Sequence, residues 1–306
     1  MPNLNLDGQN IEIDRETAQR VMNTAERPEI KKILDDFWTE EKLGRHSELK
    51  NDHGSILVKN LLVDPETFRE DLMANRINLG NMSSCLESIL SGTKLKGDLK
   101  PSYITDCLGV TTVRPAIGKG EFLFAASFSN LGFSKDTGDL IELGSKAKIE
   151  VKGISAQLGD GQNERFKPMR ASVIRSIARM LGIDDIADFN LTTENAQKFK
   201  RGIGLNENSA RRTFLFLQNI RNENEALARN AAKLYFEKKQ LMKTVAAVHL
   251  FTYMKLEKDQ YLLIVNDKKF AMFKAPGDLW EAYSIVEKLD IKPWREGEYG
   301  MKVTLR

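Results

Sequence analysis

Cysteine is scarce in this chain, with Cys85 and Cys107 the only two among 306 residues. Two thiols cannot make a disulfide scaffold or a cysteine-rich zinc site, and they suit a reducing compartment such as the cytoplasm. Histidine is almost as rare. His46, His53 and His249 have no ligand-like spacing. The first two read as loop residues, and His249 as a strand residue among apolar neighbours. No apolar run approaches the ~18 residues of a membrane span. The polar, acidic stretch from Met1 to Asp14 predicts no secretory signal. There is no Gly-x-Ser-x-Gly nucleophile motif. Gly118-Lys119-Gly120 lacks both the spacing of a phosphate loop and a strand before it. Internal repeats and low-complexity tracts are missing too.

What is present is globular. The chain is 41% hydrophobic and 29% charged, with a formal net charge of only +3, which excludes a disordered chain. Its length allows two domains, or one core with a large insertion. The small net charge hides a gradient. Residues 1–138 hold 17 Lys and Arg against 21 Asp and Glu, whereas residues 164–243 hold 16 against 9. The basic stretch reads either as a solvated helical face or as an electrostatic footprint for phosphate.

Residues 1–14 predict an extended, poorly ordered arm. Residues 15–43 predict two helices broken at Pro28 and ending near Gly44. His46 to Gly54 reads as a polar loop. Asp64-Pro65 is a helix start, with the helix running to about Asn75. Ser83–Leu90 and Ser102–Leu108 predict short helices. The helix Phe122–Phe128 follows Gly120-Glu121, and Asn130–Gly138 reads as a turn-rich loop. Long helical patterns occupy Pro168–Leu181, Asn208–Ile220 and Glu223–Lys239. Strand signals return at Val245–Leu256, Gln260–Val265 and Lys269–Phe273. A closing helix at Leu279–Leu289 and a strand at Met301–Leu305 complete the pattern. The class is α+β or mixed α/β.

One hairpin carries chemistry. Asp139–Leu143 and Lys148–Lys152 read as strands joined by Gly144-Ser145-Lys146-Ala147. Strand alternation puts Glu150 and Lys152 on one face and Ile149 and Val151 on the other. An even turn predicts Ile141 opposite Glu150 and Asp139 opposite Lys152. Asp139 then lies diagonal to Glu150 on the same face. Two carboxylates and the Val151 carbonyl suit a hard cation such as Mg²⁺, with Mn²⁺ as a substitute. A bound divalent ion polarises a phosphate and acidifies a coordinated water. Lys152 would orient that water or stabilise charge developing on phosphorus. The competing reading is an amphipathic hairpin with a cross-strand Asp–Lys pair.

Asp139 followed by Glu150-Val151-Lys152 resembles the PD-(D/E)XK nuclease superfamily, the restriction-endonuclease-like enzymes. Gly138 and Gly153 flank the motif as they often do there, and Glu121 stands where that family often has a further glutamate. The resemblance implies an αβββαβ core and a metal-dependent endonuclease acting on DNA. Asp139, Glu150 and Glu121 would be the metal ligands, and Lys152 the catalytic lysine. Two features depart from the family pattern: Gly138 replaces the proline, and roughly ninety largely helical residues follow Gly153. The Gly-Lys-Gly-Glu, Gly-Asp-Leu and Glu-Val-Lys-Gly combination also looks like phage-encoded members. The expected layout is a mainly helical region at 1–110 and a nuclease-like domain at 111–306, interrupted by a basic helical insertion at about 164–243. In that insertion Lys167, Arg170, Arg175, Arg179, Arg211 and Arg212 would track a DNA backbone. A homodimer or a larger phage assembly, in host cytoplasm or virion, would be the setting. The alternative is a non-catalytic structural or assembly protein, such as a virion component, that keeps the fold for docking.

Overall fold

The structure is a computed structural model that describes residues 3–6, 9–12, 28–91, 94–113, 117–135, 139–153, 156–158, 225–292 and 301–305. The helices expected at 168–181 and 208–220 lie outside these residues. Ten helices and eleven strands make the described part a mixed α/β protein. The chain divides into two compact units. One comprises residues 1–79, 83–151 and 267–270, and the other residues 80–82, 152–266 and 271–306.

The first unit begins with a correction. The residues expected to form a loose arm form a two-stranded antiparallel sheet, β1 (Asn3–Leu6) and β2 (Gln9–Glu12), with Leu4 paired to Ile11. Helix α1 (Pro28–Phe37) has Pro28 at its first position, where the missing N–H costs nothing. The short α2 (Glu40–Leu43) is capped by the Thr39 hydroxyl and stops at Gly44. The predicted loop at 46–54 is instead the start of α3 (Leu49–Asn60). Its buried face is Leu49, His53, Ile56, Leu57 and Asn60, a true helical spacing. Two polar residues in that face mask it to a hydrophobicity reading. Both have partners: Asn60 Nδ2 donates to the Ile56 carbonyl and to Asp106 Oδ2 at 2.9 and 2.8 Å.

Helix α4 (Pro65–Ala74) forms as predicted, with the Asp64 carboxylate accepting from the N–H groups of Glu66 and Thr67. Ser83–Leu90 is not one helix but strand β3 (Met82–Cys85) followed by α5 (Glu87–Ser91). Helix α6 runs Ser102–Val113, longer than expected, and α7 is Glu121–Ser127. Strand β4 (Leu131–Phe133) lies within the predicted loop. Three residues are too few to show alternation, and Gly132 is there for clearance. A Cβ on it would meet the Lys42 Cα and carbonyl oxygen at 2.8 and 2.9 Å.

Strands β5 (Leu140–Glu142) and β6 (Lys148–Lys152) form the predicted hairpin. β4 pairs with β5 antiparallel, and β5 with β6 likewise. The core of this unit is aromatic. Trp38 stacks on Phe122 and Phe133 with ring centroids 6.2 and 6.3 Å apart.

The second unit holds β7 (Ala156–Leu158) and the helices α8 (Glu225–Lys238) and α9 (Leu241–Glu257). It continues with β8 (Tyr261–Val265), most of β9 (Lys269–Lys274), α10 (Leu279–Glu287), β10 (Leu289–Lys292) and β11 (Met301–Leu305). The main correction is α9, where Val245–Leu256 was expected to be a strand and His249 a strand residue. A continuous apolar run does not distinguish a buried strand from a buried helix, and seventeen residues is a helical length. Strands β10, β11 and β7 make a three-stranded sheet, in which Lys302 pairs with Gln157. Strands β9 and β8 are neighbours in this unit, and β6, β5 and β4 are neighbours in that order in the first.

Candidate functional site

Glycines shape the approach to the hairpin. Gly120 caps α7 at φ +96, a left-handed conformation that L side chains rarely adopt. This turn starts α7 at Glu121, whose carboxylate folds back so that Oε1 accepts from the Gly118 N–H at 2.5 Å. A Cβ on Gly118 would fall 2.0 Å from that oxygen. Glu121 is buried, at 7% exposure, and its side chain closes the loop ahead of the helix.

The hairpin register differs from expectation by two residues. Leu140 pairs with Ile149 and Ile141 with Lys148. The loop is therefore Leu143–Lys146, with the Glu142 N–H donating to the Ala147 carbonyl and the Lys146 N–H to the Glu142 carbonyl. The cause is the Glu142 side chain. Its Oε2 accepts from the Ser145 N–H and hydroxyl at 2.6 and 2.7 Å, and its Oε1 accepts from Asn130 at 3.0 Å. Burial alone would raise this carboxyl. Bonds from Ser145, Asn130 and the Gly144 N–H outweigh burial and hold it below its ordinary range. A shift of two residues preserves which face each side chain takes. Leu140, Ile149 and Val151 accordingly bury on the apolar side as expected.

The register brings Asp139 level with Glu150 rather than diagonal to it. Asp139 immediately precedes Leu140, and Glu150 immediately follows Ile149, the partner of Leu140. The Asp139 N–H donates to the Ile149 carbonyl at 3.1 Å. Its carboxylate Oδ2 accepts from the Val151 N–H at 2.8 Å. The side chain thus takes a bond that a main-chain carbonyl accepts in a continued ladder, and this fixes the carboxylate against β6. Glu150 is buried at 7% exposure. Lys152 ends β6 half-buried, with Nζ 5.6 Å from the centroid of the Tyr253 ring on α9.

Asp139, Glu150 and the Val151 carbonyl are all hard oxygen donors, the chemistry Mg²⁺ takes. Glu121, the third carboxylate of the expected set, is placed at the start of α7 against the Gly118 N–H. Among the described residues no three His, Cys, Asp or Glu side chains form a group able to hold a metal ion. The six basic residues Lys167, Arg170, Arg175, Arg179, Arg211 and Arg212 lie outside the described residues. No helix among the described residues is long and apolar enough to cross a membrane.

Two groups in this unit escaped the sequence reading. Lys42 is 1% exposed and donates from Nζ to the carbonyls of Phe128, at 2.6 Å, and Leu131. Burial pushes its ammonium well below the ordinary lysine range. His53, expected in a loop, is fully buried. Trp38 Nε1 donates to its Nδ1 at 2.9 Å, so in the neutral ring Nε2 carries the proton and donates to the Tyr103 hydroxyl at 3.1 Å. That hydroxyl donates onward to the Ala126 carbonyl. Nothing in E-E-K-L or N-D-H-G marks either residue as buried.

No family model, curated protein or solved structure matches the chain.

Proposed function

We propose that the chain is a metal-dependent endonuclease that hydrolyses DNA phosphodiester bonds, with a restriction-endonuclease-like core. The observation that carries this reading is the Asp139 carboxylate seated on the Val151 N–H, in the middle of Glu150-Val151-Lys152. The order of elements also supports it. Helix α7 followed by strands β4, β5 and β6 gives the αβββ start of that core, with the three strands adjacent as β4-β5-β6.

In this reading Asp139 and Glu150 hold Mg²⁺ or Mn²⁺. Glu121, whose Oε1 accepts from the Gly118 N–H, would join them through its other carboxylate oxygen. When bound, the cation polarises the phosphodiester and acidifies a coordinated water. Asp139 keeps one orientation because Val151 holds it. The Lys152 ammonium stabilises the negative charge that builds on the phosphoryl oxygens as water attacks and the leaving oxygen departs. The basic side chains between residues 164 and 243 track the DNA backbone. The expected setting is a phage-encoded protein, as a homodimer or within a larger assembly, in host cytoplasm or virion.

The test is incubation with supercoiled, linear, branched and single-stranded DNA in Mg²⁺, Mn²⁺ or EDTA, with wild type beside Asp139→Ala and Lys152→Ala. The expected result is metal-dependent cleavage by the wild type and loss in both variants. Cleavage that survives in both overturns the site. No cleavage of any substrate overturns the enzyme and leaves the assembly role.

A further inference from the structure

We infer that Tyr253 is a positioning residue for Lys152: its ring face helps to hold the lysine ammonium in place at the end of β6. This inference rests on the role proposed above for Lys152, and its geometric part can be tested without it.

A lysine is a poor positional element by itself. Its charge sits at the end of a flexible four-carbon stem, and ordering that stem costs rotamer entropy. A lysine that must meet charge at one point on a phosphate therefore needs a partner. Lys152 Nζ stands 5.6 Å from the Tyr253 ring centroid, within the range where an aromatic face attracts a cation. The partner is itself well fixed. Tyr253 is 4% exposed on α9, flanked by Thr252 and Met254, which are also buried. Water therefore competes little for the ring, and two side-chain torsions locked by packing set its place.

A ring face attracts the ammonium charge as a whole and is only a weak acceptor, so it orients the cation without taking up its N–H bonds.

The direct measurement is NMR of the full-length protein with ¹³C-dimethylated lysines. The Lys152 signal is assigned by its absence in Lys152→Arg. A methyl group over a ring face is shifted upfield by the ring current. The expected result is an upfield Lys152 signal in wild type, retained in Tyr253→Phe and returned to the ordinary lysine position in Tyr253→Leu. A Lys152 signal at the ordinary position in the wild type overturns the inference, and this readout needs no tyrosine variant to fold. In the cleavage assay, Tyr253→Leu should lower kcat about tenfold with KM for DNA within about twofold, while Tyr253→Phe stays within about twofold of wild type in both. Equal loss in the Phe and Leu variants would assign the effect to the hydroxyl and overturn the ring's role. An upfield signal in a protein that cuts no DNA sustains the ring contact and defeats the nuclease reading, so the two failures are distinguishable.

Discussion

His53 shows what a buried titratable group does to stability. Burial, with the Lys42 charge adding to it, lowers its pKa from 6.5 to about 3. The unfolded chain therefore binds a proton between pH 6.5 and 3 that the folded chain does not. The stabilisation is fully present above pH 6.5 and is lost as pH falls towards 3, at up to about 1.4 kcal/mol per pH unit. Urea midpoints at pH 7, 6, 5 and 4 should show this slope in wild type and a shallower one in His53→Gln. Parallel curves would contradict the assignment. Lys42 gives the opposite limb. Its pKa is lowered by burial, so between that lowered value and about 10.5 the unfolded chain binds a proton that the folded chain does not, and stability should rise as pH climbs towards 10.5. Lys42→Met, which keeps the stem without the charge, should flatten that rise in the same urea measurement. Neither residue was legible in the sequence, because burial of a polar side chain is decided by partners distant in the chain. For His53 these are Trp38 and Tyr103. For Lys42 they are the carbonyls of Phe128 and Leu131. Asp139, Glu150 and Lys152 were legible as candidates, since their types and spacing are local facts.

At the scale of elements, short-range patterns were read correctly where a cap or turn sets them. Asp64-Pro65 starts α4, Gly44 ends α2, and the hairpin strands lie where alternation put them. The failures have physical causes. Helix α9 buries the continuous run Ala246–Leu250 and then Thr252–Met254, which hides its period, and α3 carries His53 and Asn60 in its buried face. The hairpin register slipped by two because strand patterns fix only the face, while a side chain, Glu142, sets the loop length. Replacing Glu142 by Gln should therefore cost about 1–3 kcal/mol, since the carboxylate's two acceptor oxygens serve the Ser145 N–H and hydroxyl, the Asn130 amide and the Gly144 N–H. Equilibrium unfolding gives that number, and a cost near zero would deny Glu142 this role. Gly132→Ala should cost a similar ~1–3 kcal/mol, because its Cβ would meet the main chain of α2 rather than a flexible side chain. A neutral Gly132→Ala in the same experiment would show that β4 and α2 separate easily.

For the whole molecule, the net charge of +3 is a sum of unlike parts, an acidic first 138 residues and a basic stretch from 164 to 243. If the six basic side chains singled out there each neutralise one phosphate, log K for DNA should fall against log salt with a slope of about −5. Fluorescence anisotropy with a labelled duplex from 50 to 200 mM salt measures this, and a flat response would remove the basic stretch from the interface. The mixed α/β class was legible from the alternation of periods along the chain. The sheet order β10-β11-β7 was not, because pairing of non-consecutive strands leaves no local signature. The central claim is that Asp139 and Glu150 together serve phosphodiester cleavage. Its most direct test is the single-turnover rate on duplex DNA in Mg²⁺ for wild type and Glu150→Gln, a change that keeps shape and removes the charge. The account predicts that the variant binds DNA as the wild type does and cuts it at least about a hundredfold more slowly. Cleavage by Glu150→Gln at the wild-type rate would contradict it.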